Sequence, residues 1–222
     1  MAGGQGTRFQ KSLNNNILAN INPQGLPKQF LLLKGKPILM RTLGCFYNYS
    51  NTIHIILVLP QEQMAYWKSL CDKYQFTIPH QIVAGGKTRT ESVANGLQQV
   101  PDDSLVAIHD GVRPLLSSEL ISRLYKQAAQ TGCAIPTLPL TDTLRHISGH
   151  LIDRNSILRI QTPQVFDSKR IKAAYQTIGN EQFTDDASVY EHAGNQLFFV
   201  EGETNNIKIT TAFDLTIAQL FL

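Results

Sequence analysis

Long apolar runs are missing from this chain: none approaches the ~20 consecutive apolar residues a membrane span requires, so no membrane partner is expected. Clustered charge of one sign is missing as well. Twenty Lys and Arg stand against 17 Asp and Glu, a formal net charge of +3, and the cations are scattered with no polybasic run. Nucleic acid therefore has no electrostatic footprint here, and a small anionic ligand accounts better for a few placed cations. Cysteine is scarce: Cys45, Cys71 and Cys133 form an odd count at wide spacing, with no CxxC pair and no neighbouring His pattern. Neither a disulfide framework nor a zinc site is readable from them, and buried free thiols in a reducing cytoplasm are the expectation. No charged stretch leads into a short apolar run at the N-terminus, so no secretory signal is expected. Repeats and domain linkers are absent too.

What remains is an ordinary globular composition, 42% apolar and 17% charged over 222 residues, enough for one substantial core and short for two. A single domain over 1–222 is expected. Strand-like runs at His54–Leu59, closed by Pro60, at Leu105–His109 and at Ala134–Leu138 alternate with amphipathic segments near Gln61–Tyr74, Glu91–Val100 and Ser118–Gln130. Continuous apolar strands separated by helices predict an α/β fold, a doubly wound and mostly parallel sheet covered on both faces. Two stretches break the alternation. Residues 141–160 are polar and β-prone around Ser148-Gly149, which predicts a β-hairpin arm projecting from the body and in need of a partner. Residues 10–25 form an Asn-rich polar loop, functional or mobile at that length. Met1 is followed at once by a glycine-rich turn, so either strand residues precede it or the first strand is a stub.

Three segments carry candidate chemistry. In the first, Ala2-Gly3-Gly4-Gln5-Gly6-Thr7-Arg8, followed later by Leu26-Pro27-Lys28-Gln29-Phe30, glycines let backbone N–H groups approach phosphate oxygens while Arg8 and Lys28 add fixed charge. The alternatives are a triphosphate cradle and a simple tight turn; a dinucleotide fingerprint is disfavoured because Arg8 stands where helix packing wants a small residue. The second, Gly85-Gly86-Lys87-Thr88-Arg89-Thr90-Glu91-Ser92-Val93, falls between a strand and a helix. There a wound sheet binds a base or ribose, and there a Gly-Gly turn with a Thr or Ser helix cap is equally natural. The third, His109-Asp110-Gly111-Val112-Arg113-Pro114, follows a strand whose C-terminal end faces the ligand crevice. Asp110 suits a metal or a sugar hydroxyl and Arg113 a phosphate, against the alternative of a surface ion pair. His109 reads as a packed strand-end residue. No carboxylate cluster is visible, so no protein-built metal site is expected.

The order AGGQGTR, LPKQF, GGKTRTESV, HDGVRP, DTLR, QTPQVF, TDDASV and NNIKIT, from Ala2 to the C-terminus, resembles the methylerythritol-phosphate cytidylyltransferases of the non-mevalonate isoprenoid pathway. The resemblance implies a Rossmann-like nucleotidyltransferase transferring CMP from CTP to 2-C-methyl-D-erythritol 4-phosphate, with release of pyrophosphate. It implies that Arg8 and Lys28 stabilise the transition state. It also implies that Ala2, Gly3, Gly86, Lys87 and Ser92 surround the cytosine, that Gly4 and Gly6 hold the triphosphate and that Lys208 adds a cation to the CTP site. Asp110, Arg113, Thr162 and Thr184 would line the acceptor region. Thr143 and Arg154, on the arm, would reach the acceptor phosphate across a homodimer interface. Mg²⁺ or another divalent cation would be held mainly by the CTP phosphates. The stretch from Phe9 to Pro27 is longer than in typical members, and the first strand is nearly absent. Ribitol-5-phosphate cytidylyltransferase and a non-catalytic CTP-binding protein are the alternatives; a nicotinamide oxidoreductase has least support.

Overall fold

A computed structural model describes residues 25–179 and 183–222. In chain order they form β1 (Leu32–Leu33), β2 (Lys36–Pro37), α1 (Ile38–Tyr49), β3 (Ile56–Leu59), α2 (Gln61–Lys73), β4 (Gln81–Ala84), α3 (Arg89–Leu97), β5 (Leu105–Ile108), α4 (Ser118–Thr131), β6 (Cys133–Pro139), β7 (Leu144–Arg145), β8 (Leu151–Ile152), β9 (Leu158–Ile160), β10 (Gln164–Asp167), α5 (Ser168–Gln176), α6 (Asp186–His192), β11 (Phe199–Glu201) and α7 (Ala212–Leu220). The helix starts follow from local chemistry. Side-chain oxygens of Thr88, Ser117, Asp167, Asp185 and Thr211 each accept a backbone N–H of the first turn they cap. Gly132, at φ +88°, closes α4 in the left-handed conformation that glycine adopts without strain.

The main sheet runs β11-β6-β10-β5. Its wound strands β5, β6 and β11 share one direction, β3 and β4 form a separate parallel pair, and β10 lies antiparallel between β5 and β6. Alternation along the strands sends successive side chains to opposite faces. Cys133, Ile135 and Phe166 join α3, α5 and α6 on one side, through Val93, Leu97, Ile171, Ala174 and Val189. Ala134 and Val165 meet Leu120, Ile121, Leu124 and Ala128 of α4 on the other. Both faces are thus covered, which makes the fold a doubly wound α/β sandwich. A further cluster closes around Trp67 of α2, with Leu39, Met40 and Leu43 of α1 and Leu57 and Leu59 of β3. Among the described residues no helix is long and apolar enough to cross a membrane.

The arm is shorter than the sequence suggests. Within 141–160 a hairpin comprises β7 and β8, paired Leu144 to Ile152 and Arg145 to Leu151, with Gly149 at φ +96° in its tip. A short 3-10 turn at Arg154–Ser156 follows, and Leu158–Ile160 then returns to the body and pairs antiparallel with the C-terminal half of β6. The limits 141–160 therefore enclose a hairpin plus a strand of the main sheet. The physical reason is that β6 extends past the end of β10, so its ladder positions from Thr137 to Pro139 are open for β9 to fill.

Candidate active site

Strand β5 delivers His109, Asp110 and Arg113 to one end of the sheet, and all three are buried. Asp110 Oδ2 accepts from Arg113 Nε (3.1 Å) and lies 3.1 Å from Lys208 Nζ. Lys208 reaches it because the loop before α7 is pinned to the same strand end. Ile209 N–H donates to the Val112 carbonyl (2.9 Å), Arg113 Nη1 donates to the Asn206 carbonyl (2.8 Å) and Asn206 Nδ2 donates to the Thr162 carbonyl (2.9 Å). Burial by itself would raise the Asp110 carboxyl, but Lys208 and then Arg113 outweigh it and hold the group well below the usual carboxylate range. One carboxylate thus fixes two cations, of which Lys208 keeps a partly exposed side chain.

Beneath this cluster His109 is locked in one proton arrangement. Its Nε2 faces the Arg113 carbonyl (3.1 Å), which can only accept, so Nε2 carries the hydrogen. Its Nδ1 then accepts from the Thr162 hydroxyl (3.1 Å), whose oxygen also accepts the Asp110 N–H (3.1 Å). Burial pushes the imidazole down to about 3, so it is neutral at neutral pH. The Thr162 hydroxyl is committed to this scaffold rather than left facing solvent.

The loop after β4 is built differently. Gly85 N–H donates to the Leu59 carbonyl (2.7 Å), Gly86 N–H to Ser92 Oγ (3.0 Å) and Lys87 N–H to Glu91 Oε2 (2.7 Å). Ser92 Oγ in turn donates to the Thr88 carbonyl (2.8 Å). A Cβ on Gly86 would collide with the Glu91 side chain, and one on Gly85 would come within 2.9 Å of Ser92 Oγ. These glycines let the loop lie flat on the first turn of α3; no charge is buried here, and Lys87 is exposed.

Two polar side chains hold the start of α6: the buried Gln164 of β10 and the partly exposed Arg89 of α3. The Gln164 carboxamide accepts from the N–H groups of Asp186 (3.1 Å) and Ala187 (2.8 Å) and donates to Asp185 Oδ2 (2.8 Å). Arg89 donates from Nη1 to Asp186 Oδ1 (2.9 Å) and from Nη2 to Oδ2 (2.5 Å), and the Tyr175 hydroxyl adds a third bond to Oδ1 (2.5 Å).

The 2-C-methyl-D-erythritol 4-phosphate cytidylyltransferase family profile matches residues 1–222 of this chain. The chain belongs to that family. Among similar proteins, the 2-C-methyl-D-erythritol 4-phosphate cytidylyltransferase of Phocaeicola vulgatus is 44% identical over 219 residues, covering 95% of this chain and 100% of that protein. The Porphyromonas gingivalis enzyme of the same name is 48% identical over 200 residues, covering 88% and 89%. The crystal structure of the Thermus thermophilus enzyme aligns with a TM-score of 0.77 at 30% identity, covering 87% of this chain and 92% of that one. The protein is accordingly a cytidylyltransferase, an enzyme of the nucleotidyltransferase class.

In this cytidylyltransferase the candidate site residues fall into groups. Asp110, Arg113, Thr162 and Lys208 come together at the end of β5. Gly86, Lys87 and Ser92 form the capped loop on α3. Thr184 is exposed and directly precedes Asp185, the cap of α6. Lys28 is half-buried in a 3-10 turn over Lys28–Phe30. Thr143 is exposed beside the hairpin, and Arg154, after it, donates from Nη1 to the Thr141 carbonyl (2.7 Å). Ala2, Gly3, Gly4, Gly6 and Arg8 lie outside the described residues, as does nearly all of the stretch from Phe9 to Pro27. Reading the sequence missed Arg89, Asp186, Tyr175 and Gln164 as members of the site's frame. Arg89 and Asp186 are separated by 97 positions, and only their presence inside two of the quoted strings hinted at them.

Proposed function

We propose that the protein catalyses attack by a phosphate oxygen of 2-C-methyl-D-erythritol 4-phosphate on the α-phosphorus of CTP, with departure of pyrophosphate. The observation that carries this reading is the pairing of Arg113 and Lys208 on the single carboxylate of Asp110 at the crevice end of β5. That arrangement presents fixed positive charge to an anion at no reorganisation cost. A phosphate monoester with a second pKa near ~6 is largely dianionic at neutral pH, so the nucleophile needs no general base. His109 fits that expectation, being neutral, buried and bonded at both ring nitrogens. The residues' work is to bring two polyanions together in line and to offset developing charge, with Lys28 and Arg8 assigned to the transition state.

CTP enters as a complex with a divalent cation, Mg²⁺ by preference, held mainly by its own phosphates. Asp110, the carboxylate of this end of β5, already holds two protein cations. Gly86, Lys87 and Ser92 are assigned to the cytosine, with Ala2 and Gly3; Gly4, Gly6 and Lys208 to the phosphates of CTP; and Asp110, Arg113, Thr162 and Thr184 to the acceptor side. A cytoplasmic location accords with the three free cysteines.

The arm is assigned to a homodimer. Ile147, Leu151, Leu158 and Ile160 are exposed on it and the adjoining strand, and a hairpin this short gains most by packing on a second copy. Thr143 and Arg154 would then complete the partner's acceptor site. The function is tested by pyrophosphate release over a panel of triphosphates and acceptor phosphates. CTP with 2-C-methyl-D-erythritol 4-phosphate should exceed every other pair, and equal use of UTP or of ribitol 5-phosphate would overturn the reading. Mixing Arg154→Ala with Lys28→Ala subunits under exchange should give activity above either parent. No gain despite proven exchange would remove the shared site.

A further inference from the structure

Among the described residues, Asp186 is the most deeply buried carboxylate held in an ion pair, and its partner is Arg89. Asp186 is 0% exposed, and its two oxygens are filled by both terminal nitrogens of Arg89 and by the Tyr175 hydroxyl. Its backbone N–H is held by Gln164. Arg89 belongs to the first turn of α3, immediately after the Gly85–Thr88 loop, and Asp186 opens α6, two positions after Thr184. The pair therefore bolts the helix that carries the candidate cytosine loop to the helix that follows a candidate acceptor contact. A bidentate guanidinium–carboxylate contact fixes distance and angle together, which a single hydrogen bond cannot do. With Asp186 buried and the Arg89 side chain 31% exposed, the pair is also a poor device for stability alone, since well-packed apolar residues of similar volume commonly match or exceed an ion pair withdrawn from water.

We infer that Arg89 and Asp186 are positioning residues that set the α3 loop against the α6 terminus, so that the α-phosphorus of CTP and the acceptor oxygen meet in line. This rests on the assignment of the Gly86–Ser92 loop to CTP. The carboxylate of Asp186 is taken up by Arg89 and Tyr175, so the pair acts through the elements it joins, and its loss should misplace one substrate against the other without emptying either site. A displacement of about 1 Å in such a geometry costs on the order of 10²-fold in rate.

The test compares Arg89→Lys, which keeps the charge and loses the fork, with the apolar double variant Arg89→Met/Asp186→Leu in the full chain. Thermal unfolding is measured alongside steady-state kinetics. The expected result is a fall in kcat of roughly 10- to 100-fold in both, with each KM changed by no more than about threefold and the melting temperature of the double variant near that of the parent. A purely structural role would lower the melting temperature and the concentration of active enzyme, leaving kcat per folded molecule intact. Folded Arg89→Lys protein with kcat within about twofold of the parent overturns the inference, whether or not the double variant folds. Gly86→Ala separates the underlying reading. If it raises the KM for CTP while Arg89→Lys is silent, only the pair's role fails; if it leaves CTP binding untouched, the loop assignment itself is wrong.

Discussion

The loops after β4 and β5 occupy equivalent places at strand ends and solve opposite problems. The first is half-exposed and buries no charge. Its N–H groups are spent on Ser92, Glu91 and the Leu59 carbonyl, and its glycines exist because no Cβ fits against α3. The second is buried and charged. Asp110 there stands between Arg113 and Lys208, on a floor made by His109 and Thr162. A loop held by backbone shape depends on space, whereas a loop built around charge depends on compensation. Their sensitivities to substitution should therefore differ in kind.

The sharpest break comes at the charged loop. Asp110→Ala strands Arg113 in a buried site with only the Asn206 carbonyl for company, and should cost roughly 3–5 kcal/mol in unfolding free energy. A denaturant titration measures this directly, and a loss below about 1 kcal/mol would show that the cluster is solvated in solution. Gly86→Ala should cost less, roughly 1–3 kcal/mol, because overpacking against Glu91 can relax by a small shift of the loop. Its penalty should appear as a raised KM for CTP with the acceptor KM unchanged.

The third effect is a pH dependence to which His109 of the second loop contributes. His109 titrates near 3 in the folded protein against an ordinary value of 6.5. Below pH 6.5 the unfolded chain takes up a proton that the native ring refuses. Stability from this group is therefore complete above that pH and falls, by at most ~1.4 kcal/mol per pH unit, as pH drops toward 3. Asp110 acts in the same direction only lower down, its depressed carboxyl losing stability as pH falls below 3.8. Unfolding free energies measured from pH 7 to pH 4.5 should slope less in His109→Gln than in the parent, and identical slopes would place the proton uptake elsewhere.

Much of the fold was legible because its signals are local. The runs at Leu105–His109 and Ala134–Leu138 and the amphipathic stretch at Ser118–Gln130 correspond within a residue or two to β5, β6 and α4. Strand direction is not a local signal. Nothing in Gln164–Asp167 distinguishes an antiparallel insertion from another wound strand, since a strand's side-chain alternation is the same in both directions. The arm was overextended for a related reason: Leu158–Ile160 has the polar, β-prone look of a projecting hairpin, and only the open edge of β6 decides where it pairs. At the candidate site, the strings around Asp110 and Lys208 singled those residues out, but the convergence of Arg113 and Lys208 on one Asp110 oxygen depends on the distant contact of Ile209 with Val112. The Arg89–Asp186 contact was illegible because each residue alone reads as an ordinary first-turn charge.

Trp67 turns the architecture into an optical instrument. It is the chain's one tryptophan, it is 0% exposed, and its indole N–H is bonded to His80 Nε2 (2.9 Å) within the α1–α2–β3 cluster. Its emission should be blue-shifted in the native state and should move to the red only when that layer opens to water. Protonation at His109 or rupture of the Arg89–Asp186 contact perturbs a different cluster and should leave the spectrum still. Fluorescence thus reports melting of one flank, while catalysis reports the other, and a gap between the two curves would measure how independently the halves of the sandwich come apart.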